Sequence, residues 1–138
     1  MSSLAKSPFN KPKADPGDIL LDYEKLADLA DAFEPLEFPR MLLMAELNVV
    51  ALLDQLHRSI ECEEMRTAGN FVHTLGGLLG TYGMKSAARF GFQIELDIET
   101  INTTRLEEFV VVVNKSLDTY RAYRCSDEHT VSTYAISA

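Results

Sequence analysis

Residues 65–82 read MRTAGNFVHTLGGLLGTY. Apolar residues recur in this stretch at alternating spacings of three and four, at Met65, Ala68, Val72, Leu75, Leu79 and Tyr82. This is the period of an α-helix that buries one stripe of side chains against neighbouring helices. We therefore expect a helix over about residues 62–82, and the regularity of its stripe is typical of a helical bundle.

Four further segments carry apolar stripes of the same period. They predict helices over about residues 18–33, 39–60, 84–98 and 104–124. Pro35 and Pro39 separate the first two segments, because proline has no backbone N–H to donate inside a helix. The buried stripe of the second segment is expected to include Leu52.

The last segment contains a β-branched run at residues 110–113, which by itself favours a strand. Two glutamates lie early in the segment and Thr103 or Thr104 can cap it, so we interpret it as a helix with Val110 on its buried stripe. Short connections between long amphipathic helices indicate antiparallel neighbours. The expected fold class is all-α, an antiparallel up-and-down four-helix bundle with an additional N-terminal helix.

The composition limits the classes of function. The chain has 138 residues, enough for one domain, and 13 Lys and Arg against 21 Asp and Glu give a net charge of -8. This charge argues against nonspecific binding to nucleic acid or to an anionic membrane, and it favours a protein partner or a small ligand. No apolar run is long enough to span a membrane, and the N-terminus does not resemble a secretion signal. Cys62 and Cys125 lack the spacing of a disulfide framework or a zinc site, so we expect a soluble, cytoplasmic protein.

Composition also divides the chain into three parts. Residues 1–16 combine lysines, prolines and serines with few apolar side chains, which predicts a flexible tail. Residues 17–125 carry the helical stripes and form the expected bundle. Residues 126–138 are mostly small and polar without a helical period, so they are interpreted as a C-terminal extension.

One histidine departs from the pattern of an ordinary bundle helix. On a helical wheel His73 lies about 130° from the centre of the apolar stripe and should point into solvent. Its helical neighbours on that side are Gly69, Gly76, Gly77 and Gly80. Each glycine inside a helix costs ~1 kcal/mol relative to alanine, so this surface needs a compensating reason. Either another helix packs closely along the glycines, or the backbone of an external partner does.

The distribution of charge favours an external partner. Residues 65–94 contain no Asp or Glu, although the chain is acidic, and they carry Arg66, Lys85 and Arg89. A histidine in a locally basic field suits an anionic ligand. The alternatives are that His73 is a solvated surface side chain and that the glycines mark tight helix packing. His57 and His129 have no comparable surroundings.

The segment His73-Thr74-Leu75-Gly76-Gly77, followed a helix later by Ile94-Glu95, resembles the signature of the histidine-containing phosphotransfer (HPt) family. That family typically reads H-x-L-K-G, with an apolar residue and a glutamate paired in the next helix. The resemblance extends over about residues 39–124 through the number, length and order of the helices.

The resemblance implies that the chain is a phosphorelay intermediate of two-component signalling, with His73 as the phosphoacceptor. The expected partners are the receiver domain of a response regulator and a hybrid sensor histidine kinase. The receiver supplies the Mg²⁺ and most of the transition-state stabilisation, so the resemblance implies a phosphocarrier rather than an enzyme, with no cofactor or metal of its own. Glu95 would accept a hydrogen bond from Nδ1 of His73 and leave Nε2 as the nucleophile.

The same resemblance implies a docking surface around His73. We expect a receiver to dock over a set of small residues and one apolar neighbour: Gly69, Gly76, Gly77, Gly80 and Leu78. One position departs from the family, because its lysine three residues after the histidine is Gly76 here. Arg66, Lys85 or Arg89 can supply the missing cation.

Two other functions remain open. One is a non-phosphorylated HPt-like bundle that binds and sequesters a receiver or kinase domain. The other, a metal-binding or small-molecule enzyme, is disfavoured because the predicted helices show no inward Glu-x-x-His pattern and no paired carboxylates.

Overall fold

The structure is a computed structural model that describes residues 20–97 and 102–126. It contains five helices: α1 (Tyr23–Ala32), α2 (Glu37–Glu61), α3 (Met65–Thr81), α4 (Lys85–Leu96) and α5 (Thr103–Arg124). The described residues contain no strand, so the all-α prediction is confirmed. The expected tail at residues 1–16, nearly all of the C-terminal extension and His129 lie outside the described residues.

The core lies between four of these helices. α2 packs against α3 and α5, and α4 packs against the same two helices. The stripe of α3 is buried as the wheel predicts: Ala68, Val72, Leu75 and Leu79 are fully buried. Burial of such stripes is the main stabilising term of a helical bundle. Within the described ranges, none of the helices has both the length and the apolar character needed to cross a membrane.

The turn between α2 and α3 makes α3 shorter than expected. Glu63 has a φ of 57°, in the left-handed region that a right-handed helix cannot include. α2 therefore ends at Glu61, and α3 begins at Met65 rather than near residue 62. The backbone N–H of Glu64 donates to the carbonyl of Ser59 at 2.9 Å and closes the turn.

α2 begins two residues earlier than expected, at Glu37 rather than near Pro39. Pro39 lies in the first turn of α2, which begins at Glu37. The first backbone N–H groups of a helix have no intrahelical acceptor, so proline costs little there. Glu37 Oε1 accepts from the backbone N–H of Glu34 at 3.4 Å, across the start of the helix.

Caps decide where α1 and α5 begin. α1 begins at Tyr23, later than expected, because the carboxylate of Asp22 accepts from the N–H of Lys25 at 3.0 Å. α5 is capped by Asn102, whose side chain accepts from the N–H of Arg105 at 2.8 Å. The expected cap at Thr103 or Thr104 is therefore wrong, and both threonines are already helical.

Two stripe assignments also shift by one residue. Leu53 is buried on α2 and Leu52 is only half-buried. On α5 the fully buried residue is Phe109, and Val110 is half-buried. A step of one residue turns the helix by about 100°, so two adjacent apolar residues compete for one core position and packing selects between them.

Gly83 fixes the turn between α3 and α4. Its φ of 89° is a conformation that residues with a Cβ rarely adopt. Its carbonyl accepts from the N–H of Asp22 at 2.7 Å, and its Cα lies against Leu26 of α1. This turn sends α4 back along α3, which brings the helix that carries Glu95 beside the helix that carries His73.

Candidate functional site

His73 lies on the solvent face of α3. Its side chain is 78% exposed, while Val72, the preceding residue, is fully buried in the core. The helical wheel predicts this exposure of the ring, because the buried stripe occupies the opposite side of the helix. The imidazole is therefore accessible to a partner that approaches α3 from solvent.

Glu95 of α4 reaches the same imidazole. Its Oε2 lies in hydrogen-bonding contact with Nδ1 of His73, and the Glu95 side chain is only 28% exposed. Ile94, the residue before Glu95, is buried in the core, and the turn of one residue along α4 directs Glu95 toward α3. A carboxylate at Nδ1 stabilises the tautomer that carries its proton there and leaves the lone pair of Nε2 toward solvent.

The glycines near His73 do not all have the same surroundings. A Cβ built at Gly76 or at Gly77 meets no atom within 4 Å, so no helix packs against these two positions. A Cβ built at Gly80 lies 3.7 Å from the Cβ of Ala88 on α4. This is an ordinary van der Waals distance and Gly80 is exposed, so α4 passes nearby without requiring a glycine there, whereas a Cβ at Gly76 or Gly77 enters open space.

Two residue pairs define the direction of α4 beside α3. His73 contacts Glu95, and Gly80, seven residues later, faces Ala88, seven residues earlier on α4. The two helices therefore run in opposite directions at this site. In this register Phe92 of α4 lies at the level of Gly76.

The remaining expected docking residues are less open. Gly69 is half-buried. Leu78 is also half-buried and packs against the core, so only part of its side chain is available to a partner.

The structure does not bring the three expected cations to the imidazole. Arg66 precedes His73 by seven residues, about 10 Å along the axis, and helical side chains lean toward the N-terminus, here away from the ring. On α4, Arg89 and Lys85 precede Glu95 by roughly 9 and 15 Å along the axis. Within the described part of the chain, Glu95 is the side chain paired with His73.

Sequence reasoning missed the apolar side chains beside the site. Phe92 and Leu96 of α4 are both largely exposed, and they flank Glu95 in the sequence. They are one helical turn apart, so they form a small apolar surface next to the charged pair. The sequence indicated this surface, because Phe92 and Leu96 are large apolar residues that lie outside the buried stripe of α4.

A comparison with protein-family models, curated proteins and solved structures found no match to this chain. The site is therefore interpreted from its own geometry. Among residues 20–97 and 102–126, no group of three or more His, Cys, Asp or Glu side chains is placed to hold a metal ion.

A second charged cluster, also missed from the sequence, joins α2 to α5. The buried carboxylate of Glu46 accepts from Nε of Arg121 and from the guanidinium of Arg124, whose NH2 lies 2.9 Å from Oε1. The hydrogen bond that Arg121 donates to Glu46 raises the pKa of Arg121 above its ordinary value, although burial opposes it. A single glutamate in the apolar part of α2 was the available signal, but its partners are 75 and 78 residues away.

Tyr120 lies fully buried in the core. Its hydroxyl has no hydrogen-bond partner among the described residues. Burial raises the pKa of its phenol, with smaller contributions from Tyr82, Tyr123 and Glu46. Tyr120 is therefore neutral at physiological pH and belongs to the core rather than to the His73 site.

Proposed function

We propose that this chain carries a phosphoryl group on His73 between receiver-domain aspartates, as a phosphorelay intermediate of two-component signalling. The observation that carries the proposal is the contact between an exposed imidazole and Glu95 from the neighbouring helix. The open backbone at Gly76 and Gly77 supports it, because a partner's active site must come within bonding distance of Nε2.

The proposed transfer needs few groups from this chain. The lone pair of Nε2 attacks the phosphorus of the receiver's aspartyl phosphate, and the P–O bond breaks with its electron pair returning to the aspartate. The imidazole becomes cationic because Nδ1 keeps its proton, and the carboxylate of Glu95 stabilises that charge. The reverse sequence delivers the group to another aspartate. Mg²⁺ and the remaining stabilisation come from the receiver, so the chain acts as a phosphocarrier and not as an enzyme.

The proposed architecture is an antiparallel up-and-down bundle of α2–α5 with α1 as an additional N-terminal helix. The cycle of contacts in which α2 and α4 each pack against α3 and α5 supports it. The opposite directions of α3 and α4 support it as well. In such a bundle His73 projects from the middle of one helix, well away from the turns at its ends. The proposed location is the cytoplasm, where receiver domains and kinase output domains act.

A labelling experiment tests the proposal. The chain is incubated with a receiver domain charged by acetyl phosphate, and the bound phosphoryl group is followed by mass spectrometry before and after acid treatment. We expect one acid-labile phosphoryl group that disappears in His73→Gln.

The matched control is His57→Gln. His57 is also exposed on a helix, and its Nε2 lies 3.4 Å from Glu61, so it differs from His73 mainly in lacking the open glycine surface. The control should keep the full label. Label that persists in His73→Gln, or that is lost in His57→Gln, contradicts the assignment of His73.

The distance of the cations from the imidazole favours one rival, a bundle that binds a receiver or kinase domain without accepting phosphate. That rival predicts a complex that forms equally well with His73→Ala, and no label on the wild-type chain. Gly77→Gln tests docking, because its side chain fills the open surface one turn after His73 and blocks the approach of a partner. In a carrier Gly77→Gln should lose transfer and keep its helical content.

A further inference from the structure

α2 has a second apolar face that is exposed to solvent. Its outer stripe, which we define as Leu36, Leu43, Leu47 and Val50, has side chains that are 38–52% exposed. The stripe lies about 130° around the helix from the buried residues of α2, such as Leu42 and Val49. Leu43, Leu47 and Val50 follow one another at single-turn spacing, and exposed apolar side chains grouped in this way mark interfaces more often than single ones do.

The outer stripe follows the repeat of helices that pair with each other. Together with Arg40 and Asp54, its residues occupy positions 36, 40, 43, 47, 50 and 54, with spacings that alternate between four and three. This alternation is a heptad seam, the pattern that keeps one face of a helix against a partner helix. The centre of the seam is apolar and is flanked by Arg40 and Asp54, and Leu36, the N-cap residue of α2, lies one turn before Arg40.

The two end charges make the seam complementary to itself. Arg40 and Asp54 each lie seven residues from Leu47, on opposite sides, and both are exposed. A two-fold axis near Leu47 therefore places Arg40 of one copy beside Asp54 of another, twice in each pair. Asp54 already accepts from Arg58 at 2.8 Å, but this pair is exposed and its carboxylate can accept a second cation.

We propose that two copies of this chain associate through α2, in antiparallel orientation, with the two-fold axis near Leu47. The seam does not coincide with the His73 site. Glu46, which pairs with α5, borders the seam next to Leu47, so the seam faces outward on the α5 side of α2, away from α3. His73 remains accessible in the dimer, and this proposal does not depend on the proposed phosphotransfer.

A second copy suits this seam better than residues 1–19 of the same chain. That segment offers Met1, Leu4, Phe9 and Ile19 as its large apolar side chains, and their spacings do not repeat the heptad. Its lysines can pair with Asp54 and its aspartates with Arg40, but these charges do not flank apolar residues at heptad spacing. A second copy in the reverse direction offers both the apolar spacing and the two charges at the matching distances.

Sedimentation velocity over a range of protein concentrations tests the dimer. We expect reversible dimerisation in the wild type and a rise of more than about thirtyfold in its Kd in Leu47→Glu, as for the loss of a central contact. The matched control is Leu96→Glu, which changes a leucine on α4 that is more exposed than Leu47 (67% against 52%) and should leave the Kd unchanged. Circular dichroism checks that both variants remain folded.

Charge reversal tests the orientation. Arg40→Asp and Asp54→Arg should each weaken the dimer, and the double variant should restore it, because only the antiparallel pair joins these two positions. In a Cys62→Ser/Cys125→Ser background, Leu47→Cys should form an intermolecular disulfide and Leu96→Cys should not.

Three results would overturn the proposal. They are a wild type that stays monomeric at all concentrations, a dimer that Leu47→Glu does not weaken, and charge variants that show no rescue. Deletion of residues 1–19 tests the alternative occupant. If the wild type is a monomer and this deletion lowers the protection of the α2 amides from hydrogen exchange, the seam binds residues 1–19 instead of a second copy. Labelling of His73 is measured separately in Leu47→Glu, so that failure of the dimer and failure of phosphotransfer are distinguished.

Discussion

Gly91 of α4 lies against the ring of Phe109 on α5, so closely that a Cβ at Gly91 would stand 3.1 Å from Cε1. Val72 of α3 lies on the same side, with its Cγ1 3.6 Å from that Cβ. Phe109 is fully buried and its ring also packs against Phe90, with 6.1 Å between centroids. The absence of a side chain at Gly91 thus allows α4 to approach α5 at this level.

This contact predicts that Gly91→Ala lowers the free energy of unfolding. Displacing the fully buried ring of Phe109 costs about 1–3 kcal/mol, and the better helix preference of alanine returns about 1 kcal/mol, for a net loss of about 1 kcal/mol. Gly77→Ala is the matched control. Its Cβ meets no atom within 4 Å, so the same substitution should raise the free energy by up to about 1 kcal/mol. Urea denaturation measures both, and a shift of the same sign in both variants would refute this account of the two glycines.

The contact of Glu95 with His73 predicts that Glu95→Gln slows phosphorylation of His73 by about tenfold. An amide still accepts a hydrogen bond from Nδ1 but carries no charge to stabilise the cationic ring, a loss of roughly 1.4 kcal/mol. The rate is measured by single-turnover transfer from a phosphorylated receiver. ¹⁵N NMR of the imidazole provides a readout beyond rate, because Glu95→Ala should shift the tautomer population toward Nε2–H. If the imidazole NMR spectrum is unchanged in Glu95→Ala, Glu95 does not fix the tautomer of His73.

Arg66, Lys85 and Arg89 lie roughly 9–15 Å from the site along the helix axes, so we expect Gly76→Lys to accelerate transfer to His73. A lysine at this position lies one turn after the histidine, and its Cβ enters open space. An ammonium group there can stabilise the transferred phosphoryl group by a charge-assisted hydrogen bond worth about 1.5–3 kcal/mol, which corresponds to at least about tenfold in rate. Gly76→Gln controls for side-chain length. Equal rates in the two variants would show that charge at this position does not limit transfer.

The buried carboxylate of Glu46 predicts a loss of stability in Glu46→Ala. Breaking a fully buried ion pair costs about 3–5 kcal/mol, but Arg121 and Arg124 are partly exposed and can be hydrated, so we expect about 1–3 kcal/mol. Glu108→Ala is the control, because Glu108 pairs with Arg105 at the surface and its loss should change stability by less than about 1 kcal/mol. Thermal and urea denaturation measure both variants. Equal losses would mean that burial of Glu46 contributes nothing.

Much of the fold could be predicted from the periodicity of the chain. The stripe from Ala68 to Leu79 is buried as expected, and His73 is exposed, because both follow from the turn per residue of one helix. Errors occurred where two local signals competed. Asn102 rather than a threonine caps α5, and Phe109 rather than Val110 fills the core, since neighbouring residues of similar chemistry can exchange these roles at small cost.

The candidate site could be predicted only in part for a related reason. The sequence identifies Arg66, Lys85 and Arg89 as cations of the acid-free region, and the separation of Arg66 from His73 follows from their positions on one helix. The distances of Lys85 and Arg89 from the ring depend on the register between α3 and α4, in which Glu95 contacts His73 and Ala88 faces Gly80. Likewise, the roles of the exposed Phe92 and the buried Glu46 can be inferred only once their neighbours on other helices are known.

The sequence by itself determined that this chain is helical, which residues line its core and that His73 faces solvent, because these properties depend on contacts a few residues apart. Only the tertiary structure decided that Glu95 reaches the imidazole, that Gly76 and Gly77 are open while Gly91 is packed, and that Glu46 joins α2 to α5. These contacts join residues on different helices. Their distances depend on how complete side chains fit together in the core, which no single segment encodes.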